Sequence, residues 1–282
     1  MKIEESNHNE VDMISVKMSG VEPLPSRGAE LEAVGGSAFA LGRGEVGRLA
    51  PGRELRVSVI IPTLDEEARI ATRLRELGTL SAVTEVIVVD GGSGDATVAI
   101  ARSFPTIRVL EGVRGRAAQM NRGAAAARGD VLLFLHADVS LPVEAGALIE
   151  ATMLDEGIVA GVFQTWTVAD TSRRWFAPFL HLADLRSRYT SLPYGDQAMF
   201  VRAGVFRAIG GFPEIPIMED LELARRLWRV GRISTLPATV QVSGRRFLAR
   251  PVYYAVLVNV LPWLYRLGVS PLALAALYQK AR

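Results

Sequence analysis

Cysteine is absent from all 282 residues, which excludes a disulfide framework, a thiolate zinc site and a cysteine nucleophile. Lysine is nearly absent: only three of the 32 basic residues are lysines. Net charge is also scarce, 32 basic against 30 acidic residues for +2, too little to argue for nucleic acid as a partner. Walker A, H-E-x-x-H and G-x-S-x-G patterns are missing. The string "GGSGDAT" at 91–97 lacks the full G-x-G-x-x-G of a dinucleotide site and follows the second predicted strand. No N-terminal stretch has the basic-then-apolar order of a signal peptide. The apolar run Val252–Tyr265 has fourteen uncharged residues, short of the ~20 needed to cross a bilayer.

What is present divides unevenly. Residues 1–55 carry six basic and nine acidic residues and no sustained apolar periodicity, so they read as a disordered tail. With 49% hydrophobic residues, the remainder can build a substantial core. "VSVIIP" is a short buried strand ended by Pro62, since proline cannot donate to a ladder. Glu66 opens an amphipathic helix with Ile70, Leu74 and Leu77 on one face. "EVIVVD" and "ATVAIARSF" repeat the strand–helix alternation. "IRVLEG" and the small-residue helix in "RGRAAQMNRGAAAARG" follow, and then the strand "DVLLFLHAD". Alternating strands and helices predict an α/β fold, a mostly parallel central sheet flanked by helices.

In such sheets ligands sit beyond the carboxyl ends of the strands, where this chain collects its acids. Asp65 and Glu66 follow the first strand, Asp90 ends the second, and His136 and Asp138 end the fourth. Side chains alternate along a strand, so His136 and Asp138 are expected to share a face with Ala137 between them. Acids around a small polar gap suit Mg²⁺ or Mn²⁺, which takes one or two carboxylates plus substrate phosphate oxygens. Asp138 is the first candidate ligand. His136 is a second, or else a cap on the strand end.

The ordered set "VSVIIPTLDEE", "EVIVVDGGSGDAT", "FLHAD" and "GGFPEIPIMEDLELARRL" resembles glycosyltransferase family 2, of the GT-A fold, over roughly residues 56–245. "GRAAQMNRGA", "YGDQAMFV" and "PIMEDLEL" are similar to a bacterial subfamily labelled arsenosugar-biosynthesis-type. The resemblance implies a GT-A catalytic domain over 56–250, a nucleotide-diphosphate-sugar donor and transfer to an acceptor hydroxyl whose identity the motifs leave open. It also implies roles. Asp90 matches the acid at the base or ribose. Glu66 matches the second acid of the usual N-E pair, with Asp65 in place of Asn, and Pro62 lies beside that donor segment. Asp138 matches the metal-binding acid of D-x-D, and His136 replaces its first Asp. Asp220 matches the catalytic base of the E-D pair, with Glu219 beside it, while Asp196 and Gln197 match the segment lining the sugar and acceptor pocket. Arg116 and Gln119 are candidates for the phosphates or base, and Arg245 and Arg246 for a lid over the diphosphate.

The resemblance therefore implies a metal-assisted inverting transferase. A nucleotidyltransferase and a non-catalytic nucleotide-sugar-binding protein of the same fold are the alternatives. The first would need a Gly/Arg/Lys-rich loop where this chain has "PTLDEEARI". The sequence places the protein in the cytoplasm, at the inner face of the membrane if residues 251–282 meet lipid. Those residues read either as two helices packed on the catalytic domain or as a membrane-surface contact with Trp263 at the interface. Nothing in the sequence speaks to oligomeric state.

Overall fold

The computed structural model describes residues 54–112, 114–168, 184, 193–244 and 251–280. The expected tail lies outside the described residues except for its last two. Of these Leu55 is buried in the core, so the ordered chain includes a residue that the sequence reading assigned to the tail.

The elements are β1 (Val57–Thr63), α1 (Glu67–Leu77), β2 (Val83–Asp90), α2 (Thr97–Arg102), β3 (Ile107–Glu111), α3 (Arg116–Ala126), β4 (Val131–Phe134), β5 (Val139–Ser140), α4 (Ala145–Met153) and β6 (Ile158–Val168). After a 3₁₀ turn at Gly195–Gln197 come β7 (Phe200–Arg202), α5 (Ala203–Ala208), α6 (Glu219–Val230), β8 (Arg232–Ser243), α7 (Pro251–Arg266) and α8 (Pro271–Lys280). They form one eight-stranded sheet in the order β3-β2-β1-β4-β7-β6-β8-β5. The β3-β2-β1-β4 half is parallel. β7 then runs antiparallel to both β4 and β6, which interrupts the parallel run and separates the β3-β2-β1-β4 half from the rest.

Period-two alternation in the central strands feeds two cores. Ile60, Ile87, Val89, Leu132 and Phe134 face α3, α5, α6 and the C-terminal helices. Val59, Ile61, Val88, Val131 and Leu133 face α1, α2 and α4. Each buried aliphatic side chain contributes about 1.5–3 kcal/mol relative to exposure. The small residues of α3 have a steric reason: a Cβ on Gly123 would come within 2.4 Å of Ile60 Cγ2, so glycine lets the helix lie directly on β1.

Two local expectations change. Pro62 does not end β1, which pairs with β2 through Pro62↔Val89 and Thr63↔Asp90. The Ile60 carbonyl accepts Leu135 N–H on the β4 side, and Pro62, two residues on, presents its nitrogen to that same side, where β4 has already stopped at Phe134. No ladder bond is lost there. β4 itself is shorter than "DVLLFLHAD": Ala137 and Asp138 lie in a turn with Val139 N–H donating to the His136 carbonyl at 3.1 Å. The strand alternation that was to align His136 with Asp138 therefore does not extend to them. At the C-terminus, Leu261 and Leu274 are buried in the same core as α3 and α6.

Candidate active site

The loops after β1 and β2 are laced into one wall. Asp65 sits in the left-handed region (φ 55°), its N–H donating to Ser93 Oγ at 2.9 Å and its Oδ1 accepting Gly94 N–H at 2.8 Å. An Asn carbonyl would serve that acceptor position equally, so Asp at this point leaves the wall intact. Half-buried Glu66 anchors through its N–H to Thr97 Oγ1 at 2.8 Å, and Pro62 is half-buried at the end of β1.

Asp90 is buried and organises this wall from within. Its Oδ2 accepts Gly92 and Ser93 N–H, both at 2.8 Å, and its Oδ1 accepts the Ser93 and Thr63 hydroxyls. Burial raises its pKa, but the hydrogen bonds from Ser93, Gly92 and Thr63 outweigh that and hold it below the ordinary carboxylate value. Gln119 reaches from α3 to the ends of β1 and β2, donating Nε2–H to the Thr63 and Val89 carbonyls at 2.8 Å each. Gln197 is likewise a buried strut: it accepts Tyr194 N–H at 2.8 Å and donates to the Phe163 carbonyl at 3.0 Å. The side-chain hydrogen bonds of Gln119 and Gln197 thus go to backbone. Asp196 is half-buried between Gly195 and Gln197. Arg245 and Arg246 lie outside the described residues.

A second group gathers at the start of α6. His136, Gly195, Glu219, Asp220 and Arg116 line one small cavity floored by Met120, Phe134 and Phe212. Three devices aim it. Met218 adopts φ 70°, a strained turn that brings the next two residues into the cavity. Gly210 and Gly211 both take positive φ in the approach, as the "GGFPE" string suggests. Asn121 of α3 then clamps Phe212, donating to its carbonyl at 2.8 Å and accepting its N–H at 2.9 Å.

Asp220 accepts N–H from Leu221 at 2.8 Å on one oxygen and from Gly195 on the other. Glu219 is buried and pairs with Arg116 Nη1 at 3.2 Å. Burial raises its pKa, the Arg116 guanidinium opposes the rise, and the Asp220 charge adds to it. Arg116, expected near donor phosphates, is instead the partner of the E-D pair. His136 Nε2 and Asp220 Oδ2 both stand close to Gly195: a Cβ there would lie 3.1 and 3.2 Å from them. Gly195 is the site residue that sequence reasoning passed over. Its signal was present in "YGDQ", where a glycine precedes two polar candidates.

Asp138 is buried, its carbonyl accepts Ser243 N–H at 3.0 Å, and its charge favours the protonated form of buried Arg73 on α1, whose pKa burial otherwise depresses. His136 lines the α6 cavity, and on α1 the Asp138 charge acts on Arg73 together with the larger effect of Glu76. Among the described residues, no three His, Asp or Glu side chains are grouped to enclose an ion. Asp138 offers a single carboxylate, which fits a hard divalent cation completing its shell with phosphate oxygens and does not fit a closed protein cage.

The glycosyl transferase family 2 profile matches residues 58–210; the Glu219–Asp220 pair lies beyond it. Curated relatives include a dolichyl-phosphate beta-glucosyltransferase of Drosophila melanogaster, 39% identical over 101 residues (30% of this chain, 31% of the relative). Another is a PGL/p-HBAD biosynthesis glycosyltransferase of Mycobacterium tuberculosis, 34% identical over 164 residues (55% and 62%). The chain thus spans about a third to three fifths of the length of these relatives. Among solved structures, residues 1–349 of S. aureus TarS in complex with UDP-GlcNAc align with TM-score 0.55 at 22% identity (68% of this chain, 59% of that one). The mannosyltransferase PcManGT of Pyrobaculum calidifontis, in complex with GDP-Man and Mn²⁺, aligns with TM-score 0.55 at 20% identity (78% and 67%). These likenesses show the fold, that of the GT-A glycosyltransferases. Since the profile match takes in β1 through α5, more than half of the chain, this protein belongs to glycosyl transferase family 2.

Proposed function

We propose that the chain transfers a sugar, a hexose or similar unit, from a nucleotide-diphosphate donor to an acceptor hydroxyl with inversion at the anomeric carbon. The observation that carries this is the pairing of two sites on one sheet. A hydrogen-bonded wall stands at the carboxyl ends of β1 and β2, and a separate cavity at the start of α6 is lined by the carboxylates of Glu219 and Asp220. Family membership and the nucleotide-sugar complexes of the structural neighbours support the donor class.

The chain's own residues then divide the work. The β1 and β2 loops present backbone and Glu66 to the nucleoside. Asp138 would hold a divalent cation, Mg²⁺ or Mn²⁺, whose charge would offset that of the leaving diphosphate. Asp220, oriented by the Gly195 and Leu221 N–H groups, accepts the proton of the acceptor hydroxyl. That oxygen forms its bond to the anomeric carbon as the opposite bond to the diphosphate breaks, its electron pair leaving with the diphosphate. Glu219, buried next to Asp220 and paired with Arg116, fixes the start of α6 on which Asp220 sits. His136 is a hydrogen-bonding neighbour for the acceptor hydroxyl or sugar rather than the principal metal ligand.

The test is a donor panel with nucleoside-diphosphate release as readout. Acceptor-dependent release supports transfer, pyrophosphate production would identify a nucleotidyltransferase, and binding without release a non-catalytic protein. Within it, Asp220→Asn should bind donor with near-normal affinity and lose about 10²–10⁴-fold in turnover, whereas Asp138→Ala should lose metal-dependent donor binding as well. An Asp220→Asn enzyme with the wild-type rate refutes the base assignment.

A further inference from the structure

The α7–α8 pair buries one side only. Tyr254, Leu261 and Leu274 are buried, and Leu257, Leu264 and Tyr265 pack against the core that contains α3 and α6. Tyr253, Val256, Val260, Trp263 and Leu267 are instead 41–64% exposed. At about 100° per residue these five fall within about 80° of one another, a continuous apolar stripe along all of α7. Leu272 and Leu277 of α8 are exposed too. With aromatic side chains presenting about 150–250 Å² each, the α7 stripe alone exposes roughly 500 Å², in the range of the largest patch on a monomer, which is often functional.

Charge identifies the occupant. From Gly244 to Arg282 the chain has six basic residues and no acidic one. Arg266 lies 5.6 Å over the Trp263 ring, so a cation flanks the most exposed aromatic. Arg225 of α6 covers Tyr265 at 5.4 Å, and the neighbouring acid Glu222 is matched by Arg225 and Arg226. Among the described residues no helix is long and apolar enough to cross a membrane. An apolar stripe with Trp and Tyr on a non-spanning helix, with Arg266 beside it and no acid in the segment, has the make-up of a helix lying in the headgroup region.

We propose that α7, with the exposed leucines of α8, docks the protein onto an anionic lipid surface through the Tyr253–Leu267 stripe. The full-length chain is mixed with vesicles of phosphatidylcholine containing 30% phosphatidylglycerol, and with pure phosphatidylcholine, and sedimented. The expected result is co-sedimentation with the anionic vesicles that falls at least tenfold on neutral ones and weakens as salt is raised. Trp263→Glu and Val260→Glu should each lower anionic-vesicle binding at least tenfold, while Leu154→Glu, at an exposed site on the end of α4, leaves it unchanged. Should either stripe variant fail to fold, quenching of Trp263 by brominated anionic lipid, with Trp263→Phe as the blank, gives the same answer in the wild-type sequence. Absence of vesicle binding, binding indifferent to the stripe variants, unquenched Trp263, or a dimer that the stripe variants dissociate would each overturn the proposal.

Discussion

Replacing Gly195 by alanine perturbs the base cavity and little else. The new Cβ would lie 3.1 Å from His136 Nε2 and 3.2 Å from Asp220 Oδ2, with the Asp220 Cβ next at 3.8 Å. Gly195 is not among the glycines at positive φ, so alanine adds no backbone strain, and the cost is steric. Ordinary contact begins near 3.4 Å, leaving a deficit of about 0.2–0.3 Å on each neighbour. The Asp220 carboxylate, held by the Gly195 and Leu221 N–H groups, has to tilt or translate by that amount. A misplacement of ~1 Å in a reacting geometry costs on the order of 10²-fold, so a few tenths should cost about 3–10-fold, or roughly 0.6–1.4 kcal/mol at the transition state. The donor wall around Asp90 does not touch Gly195, and donor affinity should stay within about twofold. The assay is donor affinity by calorimetry beside transfer rate, with thermal midpoint as the fold control. Gly161→Ala is the contrast: its Cβ would sit 2.2 Å from Phe200 Cζ in the core, and the damage there should be to stability. A Gly195→Ala enzyme with the wild-type rate, or one that loses donor binding before turnover, refutes the reasoning.

Three further outcomes follow from the same geometry. Gln119→Leu strips donors from the buried Thr63 and Val89 carbonyls and should destabilise by about 2–4 kcal/mol in urea unfolding; a midpoint equal to wild type would mean that the strut is dispensable. Asp90 has a depressed pKa, so its stabilisation is present above the ordinary carboxylate range and disappears as pH falls through its folded value. Asp90→Asn should therefore be less stable than wild type at neutral pH by about 1–3 kcal/mol, with the gap closing in acid, and a pH-independent gap contradicts this. Glu219 has a raised pKa, the opposite sign: its contribution is complete below the ordinary Glu value and is lost as pH rises through the folded one. Glu219→Gln mimics the neutral form, so its stability relative to wild type should improve as pH rises above the ordinary Glu value; the comparison fails if denaturation curves show no such trend.

Much of the fold was legible because its signals are local. Alternation in "VSVII" and "EVIVVD", the stripe Ile70–Leu74–Leu77 and the stripe Leu221–Leu223–Ala224–Leu227 are periodicities of single elements, and the structure buries all of them. The carboxyl-edge placement of Asp90 and of the Asp65–Glu66 pair follows from strand order alone. Only tertiary contact decided the rest. The reach of β1 past Pro62 depends on where β4 stops. The relation of His136 to Asp138 is not set by strand alternation, because a turn at Ala137–Asp138 replaces the expected strand, and a turn has no fixed alternation to read. Gln119, Gln197 and Arg116 are polar residues whose partners lie far away in the chain, at Val89, Phe163 and Glu219. A polar side chain carries no sequence mark that separates a buried strut from a substrate contact, since both call for the same donors and acceptors. Apolar surface differs in kind: composition showed that α7 is apolar all round, but which of its sides meets the core and which meets solvent was settled by the docking of Leu261 and Leu274 against α3 and α6.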